Sequence, residues 1–432
     1  MKHHKLSIVW VATLLFFFSN IAHAQEIAGD WQGTLSSDQK LRIILQMEKG
    51  NDGALKGRLY SIDQSPDAVA ATTLSFVGTT LKFTVDTFHV AYEGTLSADG
   101  KTITGNLTQG KPKPLVFERV TKETAWKIDV SPHKVQMIPV EKDIKLEVLD
   151  WGGVGRPLVL LSGLGDTAHV FDTFAPKLTA NYHVYGITRR GFGTSSSPSP
   201  ETASYAVDRL GEDVLGVIDA LHLDRPIVAG HSLGGEELSY IGSHHPEKVA
   251  GLIYLDAGYP YALYDKMNGN MLIDSTEVRE QLGQLLPGKI PTDAKKFLDD
   301  LLANLQRVEK EVAQQRQDLE VLPPPPTGPR PNAPPVIFAI MTGQQRFTTI
   351  KAPALVIFAD PHDRGPMPKE NPETRAGMEA IDKRIVERQA VAFETQVPSA
   401  HVVRIPHANH YVFRSNEADV LREMNAFIAT LP

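Results

Sequence analysis

Gly230-His231-Ser232-Leu233-Gly234 is the stretch that decides the fold. It follows the apolar run 226–229 and leads into a segment with helical character. A strand that ends in such a pentapeptide turns sharply into a helix and holds the serine hydroxyl out of the sheet. The glycines are needed because flanking side chains would collide in the tight turn. The pattern predicts a nucleophile elbow with Ser232 at its tip.

Length and composition limit the number of domains and the kinds of chemistry to expect. At 432 residues the chain is long enough for two domains, and its net charge of -7 is modest. This charge gives no reason to expect a nucleic acid or an anionic membrane as partner. The chain has no cysteine, which excludes a thiol nucleophile, disulfides and thiolate metal sites.

Residues 1–24 resemble a secretory signal. A basic start, 1–5, precedes an apolar stretch, 6–18, that is short for a membrane span, and 22–24 reads Ala-His-Ala, a small-x-small cleavage pattern. We expect export to the periplasm or the exterior and no stable membrane insertion. The alternative is an uncleaved membrane anchor.

Residues 25–122 have the period of β-strands. Leu41, Ile43, Leu45 and Met47 place an apolar residue at every second position, and Asn-Asp-Gly at 51–53 is typical of a hairpin turn. The pattern predicts a small antiparallel β domain, either a barrel or a sandwich. No catalytic group converges there, so we expect an accessory module, or one that binds substrate or a surface polymer.

Residues 123–432 alternate strands and helices. Apolar runs at 158–161, 183–187, 252–255 and 354–358 are typical of buried parallel strands, and the helical stripes between them indicate an α/β fold. The interval of about 259–350 interrupts this alternation. It is helical and charged at first and rich in proline from 323 onward, which predicts a cap or lid inserted over the active-site end of the sheet.

The region from about 130 to 432 resembles the α/β-hydrolase superfamily, in the group with an inserted cap. The elbow matches closely, and the stretch 189–195 resembles the family's D-x-R-G-x-G-x-S loop, with Thr188 where the aspartate often lies. Ser162 stands where the family usually has histidine, before Gly163 and Leu164. The resemblance implies a mostly parallel sheet with a helical cap. It also implies a serine nucleophile, then an acid, then a histidine in chain order.

This order assigns the catalytic groups. Ser232 is the implied nucleophile, and it needs a neighbouring base because a serine hydroxyl is a poor nucleophile by itself. His410 follows the last predicted strand, at the family position of the base, and His407 is its competitor. The backbone N–H groups of Leu233 and Leu164 are expected to form the oxyanion hole.

The acid is left open among three aspartates. Asp363 follows the strand 354–358 at nearly the family spacing and is the favoured candidate. Asp256 ends the preceding strand, a position that some relatives use, and Asp360 is a third candidate. All three satisfy the chain order, so order does not decide between them.

The function expected from these residues is hydrolysis of a small carboxylic ester through an acyl-enzyme, with no cofactor and no metal. Amide cleavage by an aminopeptidase of the proline-iminopeptidase type is the nearest alternative, and perhydrolysis would use the same triad. Epoxide and haloalkane hydrolysis are disfavoured because those relatives use an aspartate nucleophile. An alternative of another class is a non-catalytic binding protein on a hydrolase scaffold.

Overall fold

The structure is a computed structural model that describes residues 26–36, 40–50, 53–66, 68–129, 131–285, 292–322, 333–363, 365 and 372–432. The predicted export signal at 1–24 lies outside these residues, as does most of the proline-rich run. Within the described ranges, no helix is both long and apolar enough to cross a membrane.

The N-terminal part of the chain forms one antiparallel sheet of nine strands, in the order β4-β3-β2-β1-β9-β8-β7-β6-β5. The sheet is curled as a half-barrel. The sequence left a barrel and a sandwich open, and the structure shows a single curved sheet. Its strands are β1 (Gly29–Ser36), β2 (Lys40–Lys49), β3 (Leu55–Ser61), β4 (Val69–Ala70), β5 (Thr73–Val77), β6 (Thr80–Val85), β7 (Val90–Leu96), β8 (Thr102–Gln109) and β9 (Lys111–Arg119).

One face of this sheet forms the core of the β domain. Trp31, Leu45, Leu81 and Phe117 are completely buried there. The Trp31 indole donates to the carbonyl of Ile27 at 3.0 Å, which satisfies its buried N–H. The alternation of apolar and polar residues along the strands is what places these side chains on one face.

The second sheet has eight strands in the order β10-β11-β13-β12-β14-β15-β16-β17. β11 pairs antiparallel with β10 and β13, and the strands from β13 to β17 are parallel. They are β10 (Lys134–Glu141), β11 (Ile144–Gly152), β12 (Arg156–Leu161), β13 (Tyr182–Ile187), β14 (Ile227–His231), β15 (Gly251–Leu255), β16 (Ala354–Ala359) and β17 (Ala400–Ile405).

Helices cover both faces of this sheet, as its continuous apolar strands require. α2, α3 and α7 contribute to the apolar core on one face, and α9 contributes to the core on the other. The helices are α1 (Thr202–Tyr205), α2 (Val207–Ala220), α3 (Gly234–His244), α4 (Met271–Gln284), α5 (Ala294–Val321), α6 (Pro335–Thr342), α7 (Pro372–Gln396), α8 (Val412–Ser415) and α9 (Glu417–Ile428).

The insertion between β15 and β16 supplies α4, α5 and α6. Ala339 and Ile340 of α6 form an apolar cluster with Leu233, next to the predicted nucleophile, and Leu164 and Tyr261 pack against it. The insertion thus covers the carboxyl ends of the central strands with apolar side chains.

The β domain contacts the second domain through a polar loop after β3. The Gln64 side chain donates to Asp166 at 3.2 Å, and the Thr167 hydroxyl donates to the Gln64 carbonyl at 2.9 Å. Arg414 donates to the carbonyls of Asp63 and Val170. The loop therefore touches the segments that follow β12 and β17.

Candidate active site

Ser232 lies in a sharp turn between β14 and α3. Its backbone φ of 50° is in the left-handed region, which is strained for a residue with a side chain and recurs at functional sites. Gly235 permits the turn, because a Cβ there would lie 2.1 Å from the carbonyl oxygen of Ala257. The elbow geometry expected from the sequence is present.

Three side chains form a hydrogen-bonded series at the carboxyl ends of β14, β15 and β17. Nε2 of His410 lies 2.9 Å from Oγ of Ser232, and Nδ1 of His410 lies 2.6 Å from Oδ2 of Asp256. The hydroxyl, imidazole and carboxylate therefore stand in the order that general-base activation of a serine requires.

Asp256 is completely buried and accepts four hydrogen bonds. Oδ2 faces His410 and, at 2.7 Å, Nε2 of His362, while Oδ1 accepts from the Tyr259 hydroxyl at 3.2 Å and from the Ala359 N–H at 3.0 Å. Burial alone would raise the pKa of Asp256, but the hydrogen bonds from His362 and His410 together hold that pKa well below its usual range. The carboxylate is therefore ionised at neutral pH.

The favoured acid of the sequence analysis is not in this series. Asp363 is exposed, its N–H donates to Ala408, and its carboxylate accepts from the Gly365 N–H at 2.8 Å. The structure therefore replaces Asp363 with Asp256 as the carboxylate in contact with His410. The physical reason is that the loop after β16 turns His362 toward Asp256 and leaves Asp363 facing solvent.

The other candidates also lie away from the imidazole. The Asp360 carboxylate lies 4.0 Å from Nε of Arg404. Burial, together with the charge of Glu387, raises the pKa of Asp360. His407 is exposed in the loop before His410, with a φ of 52°. His410, and not its competitor, is the histidine beside Ser232.

His362 and Asp382 are additions that sequence reasoning missed. Nδ1 of His362 lies 3.1 Å from Oδ2 of Asp382 on α7, while Nε2 faces Asp256. The two residues are 20 positions apart and belong to no local motif, so no sequence signal connected them. The nearest signal was position: His362 immediately precedes Asp363 at the end of β16.

The loop after β12 approaches the nucleophile closely. A Cβ at Gly163 would lie 3.1 Å from Cβ of Ser232, and the Ser162 hydroxyl donates to the Asp166 carbonyl at 3.1 Å. Among the described residues, neither the Leu164 nor the Leu233 N–H donates to a protein acceptor. Both amides are therefore available to a ligand, as an oxyanion hole requires.

A buried ion pair fixes this loop to the helix behind the elbow. Arg189 donates to Glu237 on α3 at 2.7 and 2.8 Å, and also to the carbonyls of Ser162 and Gly163. One guanidinium thus joins α3 to the loop that carries Leu164. Arg189 has a structural role, because its N–H groups donate to groups of the protein itself.

Glu236, the neighbour of Glu237, is buried without such a partner. Both of its carboxyl oxygens lack a hydrogen-bond partner among the described residues. Burial, with the charge of Glu237 beside it, raises the pKa of Glu236 well above its usual range. The carboxyl group is therefore held in the neutral form near the nucleophile.

His231, next to the nucleophile, has a structural role. Its Nε2 donates to the carbonyl of His410 at 3.1 Å, and its ring packs against Tyr411 and Phe413. Burial, with the nearby His410, lowers the pKa of His231 well below its usual range, so the ring is neutral. The neutral ring supports the loop that carries His410.

A second group of histidines and carboxylates lies beside β11: Asp129, His133, His169 and Asp172. These residue types suit a metal, but their atoms satisfy one another. His169 Nδ1 lies 2.9 Å from Asp172, and the hydrogen bond with Asp172 raises the pKa of His133. The cluster is explained by internal hydrogen bonds, and we assign no metal to it.

A sequence model of the alpha/beta hydrolase family matches residues 158–423. The chain belongs to the alpha/beta hydrolase family. The match begins within β12 and extends into α9, so it includes the elbow, Asp256 and His410.

Individual relatives match a shorter part of this alpha/beta hydrolase. A fluoroacetate dehalogenase of Burkholderia sp. is 30% identical over 119 residues, which are 27% of this chain and 39% of the relative. A putative carbamate hydrolase RutD of Caulobacter segnis is 34% identical over 111 residues, 26% of this chain and 41% of the relative. The matches thus span about two fifths of these relatives' length.

Among solved structures, a bromoperoxidase from Bacillus anthracis is similar, with a TM-score of 0.44 and 17% identity. The alignment covers 68% of this chain and all of the bromoperoxidase.

Proposed function

We propose that this alpha/beta hydrolase is an exported serine hydrolase that cleaves small carboxylic esters through an acyl-enzyme. The observation that carries the proposal is the series Ser232–His410–Asp256, with contacts of 2.9 and 2.6 Å. In the proposed reaction Ser232 attacks the ester carbonyl while His410 takes its proton. Asp256 orients the imidazole and stabilises its charged form.

The tetrahedral oxyanion then forms beside the N–H groups of Leu164 and Leu233, which are the donors that stabilise it. His410 returns the proton to the departing alcohol, and an acyl group remains on Ser232. Water, activated by the same imidazole, releases the acid. No step in this sequence calls on a cofactor or metal.

The surroundings of Ser232 favour an apolar group on the substrate. Leu233 and Ile340 belong to one apolar cluster, and Tyr261, Phe192 and Val336 pack against it. Burial, with the nearby charge of Asp256, raises the pKa of the Tyr261 phenol well above its usual range, so it stays protonated. An alkyl or aryl acyl group suits these surroundings better than a charged one.

Labelling with a fluorophosphonate probe tests the nucleophile. Because the probe reacts only with an activated serine, the unmodified chain should be labelled and Ser232→Ala should not. Ser243→Ala is the matched control, since Ser243 lies near the C-terminal end of α3, away from Ser232, and its hydroxyl donates to the Thr349 carbonyl. If the unmodified chain resists labelling, a non-catalytic binding protein becomes the better description.

A substrate panel tests the ester assignment. Esters of graded acyl length should be hydrolysed faster than aminoacyl anilides, because an alkoxide leaves more readily than an amine. The carbamate hydrolase among the relatives makes carbamates a useful third class. Faster cleavage of the anilides would favour the aminopeptidase alternative and overturn the esterase proposal.

Export and the role of the β domain are also proposals. Export rests on the pattern at 1–24 and is tested by the N-terminal sequence of the mature protein, which should start near residue 25.

For the β domain we propose that it supports the active-site loops, on the basis of the contacts of Gln64 and Asp63. A pull-down on cell-surface polysaccharide would reveal the polymer-binding alternative.

A further inference from the structure

His362 lies between two carboxylates. Nε2 is 2.7 Å from Asp256, and Nδ1 is 3.1 and 3.2 Å from the two carboxyl oxygens of Asp382. The backbone N–H of His362 also donates to Asp382 at 3.0 Å, so Asp382 contacts both the backbone and the ring of this residue. An ionised carboxylate only accepts hydrogen bonds, so both ring nitrogens must carry protons. The geometry therefore requires the His362 ring to be an imidazolium cation.

We propose that His362 is a positioning residue of the active site: held as a cation by Asp382, it limits how strongly Asp256 stabilises the protonated form of His410. The proposal rests on the proposed function, because it concerns the catalytic base of that reaction. His362 does not touch the reacting atoms and acts through Asp256.

The shared oxygen is the basis of the effect. Nε2 of His362 and Nδ1 of His410 both face Oδ2 of Asp256, so one carboxylate oxygen accepts hydrogen bonds from two imidazoles. Asp256, His362 and Asp382 together carry one negative charge, whereas without the cation they would carry two. The extra negative charge would favour protonated His410, and only the neutral imidazole can accept the serine proton.

The other groups around His362 are consistent with this role. The Tyr259 hydroxyl lies 3.1 Å from Nε2 and donates to Asp256, and the His410 ring is 6.0 Å away between centroids. Burial alone would lower the pKa of His362, but the hydrogen bonds to Asp256 and Asp382 outweigh it and raise the pKa to about 10. The cation therefore persists across the pH range in which the proposed reaction runs.

The consequence of the His362 cation is that Ser232 stays reactive to lower pH than it would without the cation. His362→Gln removes the cation but keeps a side chain that donates to Asp256, so protonated His410 should persist to higher pH. A single charge at this distance shifts such an equilibrium by about one pH unit, or about tenfold. A merely structural role would lower the rate equally at every pH.

The test measures the rate of fluorophosphonate labelling from pH 5 to 9, which requires no knowledge of the substrate. His362→Gln and His362→Asn should label about tenfold more slowly than the unmodified chain at pH 6 and less than about threefold more slowly at pH 8.5. His183→Gln is the matched control. His183 also contacts an aspartate, Asp150, at 2.8 Å. It lies at the amino-terminal end of β13, whereas the active site lies at the carboxyl ends of the strands. The pH profile of labelling should therefore not change in His183→Gln.

Each outcome decides the matter. An unchanged profile, or an equal loss at all pH values, would overturn the role of His362 while leaving the hydrolase intact. Absence of labelling in the unmodified chain at every pH would instead overturn the proposed function, and this inference with it. If both variants fail to fold, ¹⁵N histidine NMR of the unmodified chain decides: His362 should stay doubly protonated at pH 8, and a neutral ring would refute the proposal.

Discussion

At the scale of single residues, the two glutamates behind the nucleophile differ in their partners. Glu237 is paired with Arg189 at 2.7 Å, whereas both carboxyl oxygens of Glu236 lack a partner among the described residues. The adjacent positions therefore bury a carboxyl group that is paired with Arg189 beside one that has no ion-pair partner. The same substitution should have opposite effects at the two sites.

Glu236→Gln should stabilise the protein at alkaline pH. The pKa of Glu236 is raised in the folded state, so the folded state binds more protons than the unfolded state, and stability falls as pH rises above about 4.3. Glutamine removes this loss, and the Tm should rise by about 2–4 °C at pH 8 and by less at pH 5.

Glu237→Gln is the control for this experiment. It breaks a buried ion pair and should cost about 3–5 kcal/mol in the free energy of unfolding. Thermal unfolding of both variants at the two pH values gives the comparison. A lower Tm for Glu236→Gln at pH 8 would show that its carboxyl group has an ionic partner.

At the scale of elements, the turn from β14 into α3 depends on close backbone approaches. The position of Gly235 leaves no room for a side chain, since the Ala257 carbonyl oxygen is 2.1 Å from where a Cβ would lie. Ala257 is the residue that follows Asp256. A shift of the Ala257 carbonyl would therefore also move the Asp256 carboxylate. Glycine at 235 thus connects the nucleophile turn to the acid.

Gly235→Ala should therefore reduce labelling of Ser232 by at least about tenfold and lower the Tm, because backbone atoms must shift. Gly283→Ala is the matched control: it lies in α4, and among the described residues nothing outside its own stretch of helix comes within 4 Å of a Cβ built there. Alanine at 283 should be neutral or stabilise by up to about 1 kcal/mol. Full activity in Gly235→Ala would contradict the tight turn.

At the scale of the whole molecule, the β domain contacts the loops that carry the proposed oxyanion hole and base. Gln64 donates to Asp166, and the Tyr411 hydroxyl, next to His410, donates to the other oxygen of Asp166. Burial raises the pKa of Asp166, and these hydrogen bonds oppose the increase. A side chain of the β domain therefore lies two hydrogen bonds from the residue that follows the base.

Gln64→Ala should lower kcat/KM for an ester about fivefold, which corresponds to one hydrogen bond of about 1 kcal/mol. Gln109→Ala serves as the control, since Gln109 lies in the same domain, at the end of β8, and donates to the Phe88 carbonyl within that domain. Steady-state kinetics on both variants makes the comparison. Equal activities would leave the β domain without a supporting role in catalysis.

The sequence predicted the parts of this molecule that depend on local order. Ser232 and His410 stand in recognisable surroundings, and the structure brings them together. The acid could not be chosen, because Asp256, Asp360 and Asp363 all follow strands and only the path of the loop after β16 separates them. Strand periodicity likewise predicted the β domain but not its curvature, which depends on how far the sheet closes. His362 and Asp382 meet only in the folded chain.

The most direct test of the proposed triad is to compare Asp256→Asn with Asp363→Asn. We predict that Asp256→Asn lowers kcat about 10⁴-fold, because the imidazole loses the carboxylate that orients it and stabilises its charge. Asp363→Asn should stay within about threefold of the unmodified enzyme, since Asp363 is exposed and its carboxylate accepts a hydrogen bond from the Gly365 N–H in its own loop. A large loss in Asp363→Asn with near-normal turnover in Asp256→Asn would contradict the triad proposed for this enzyme.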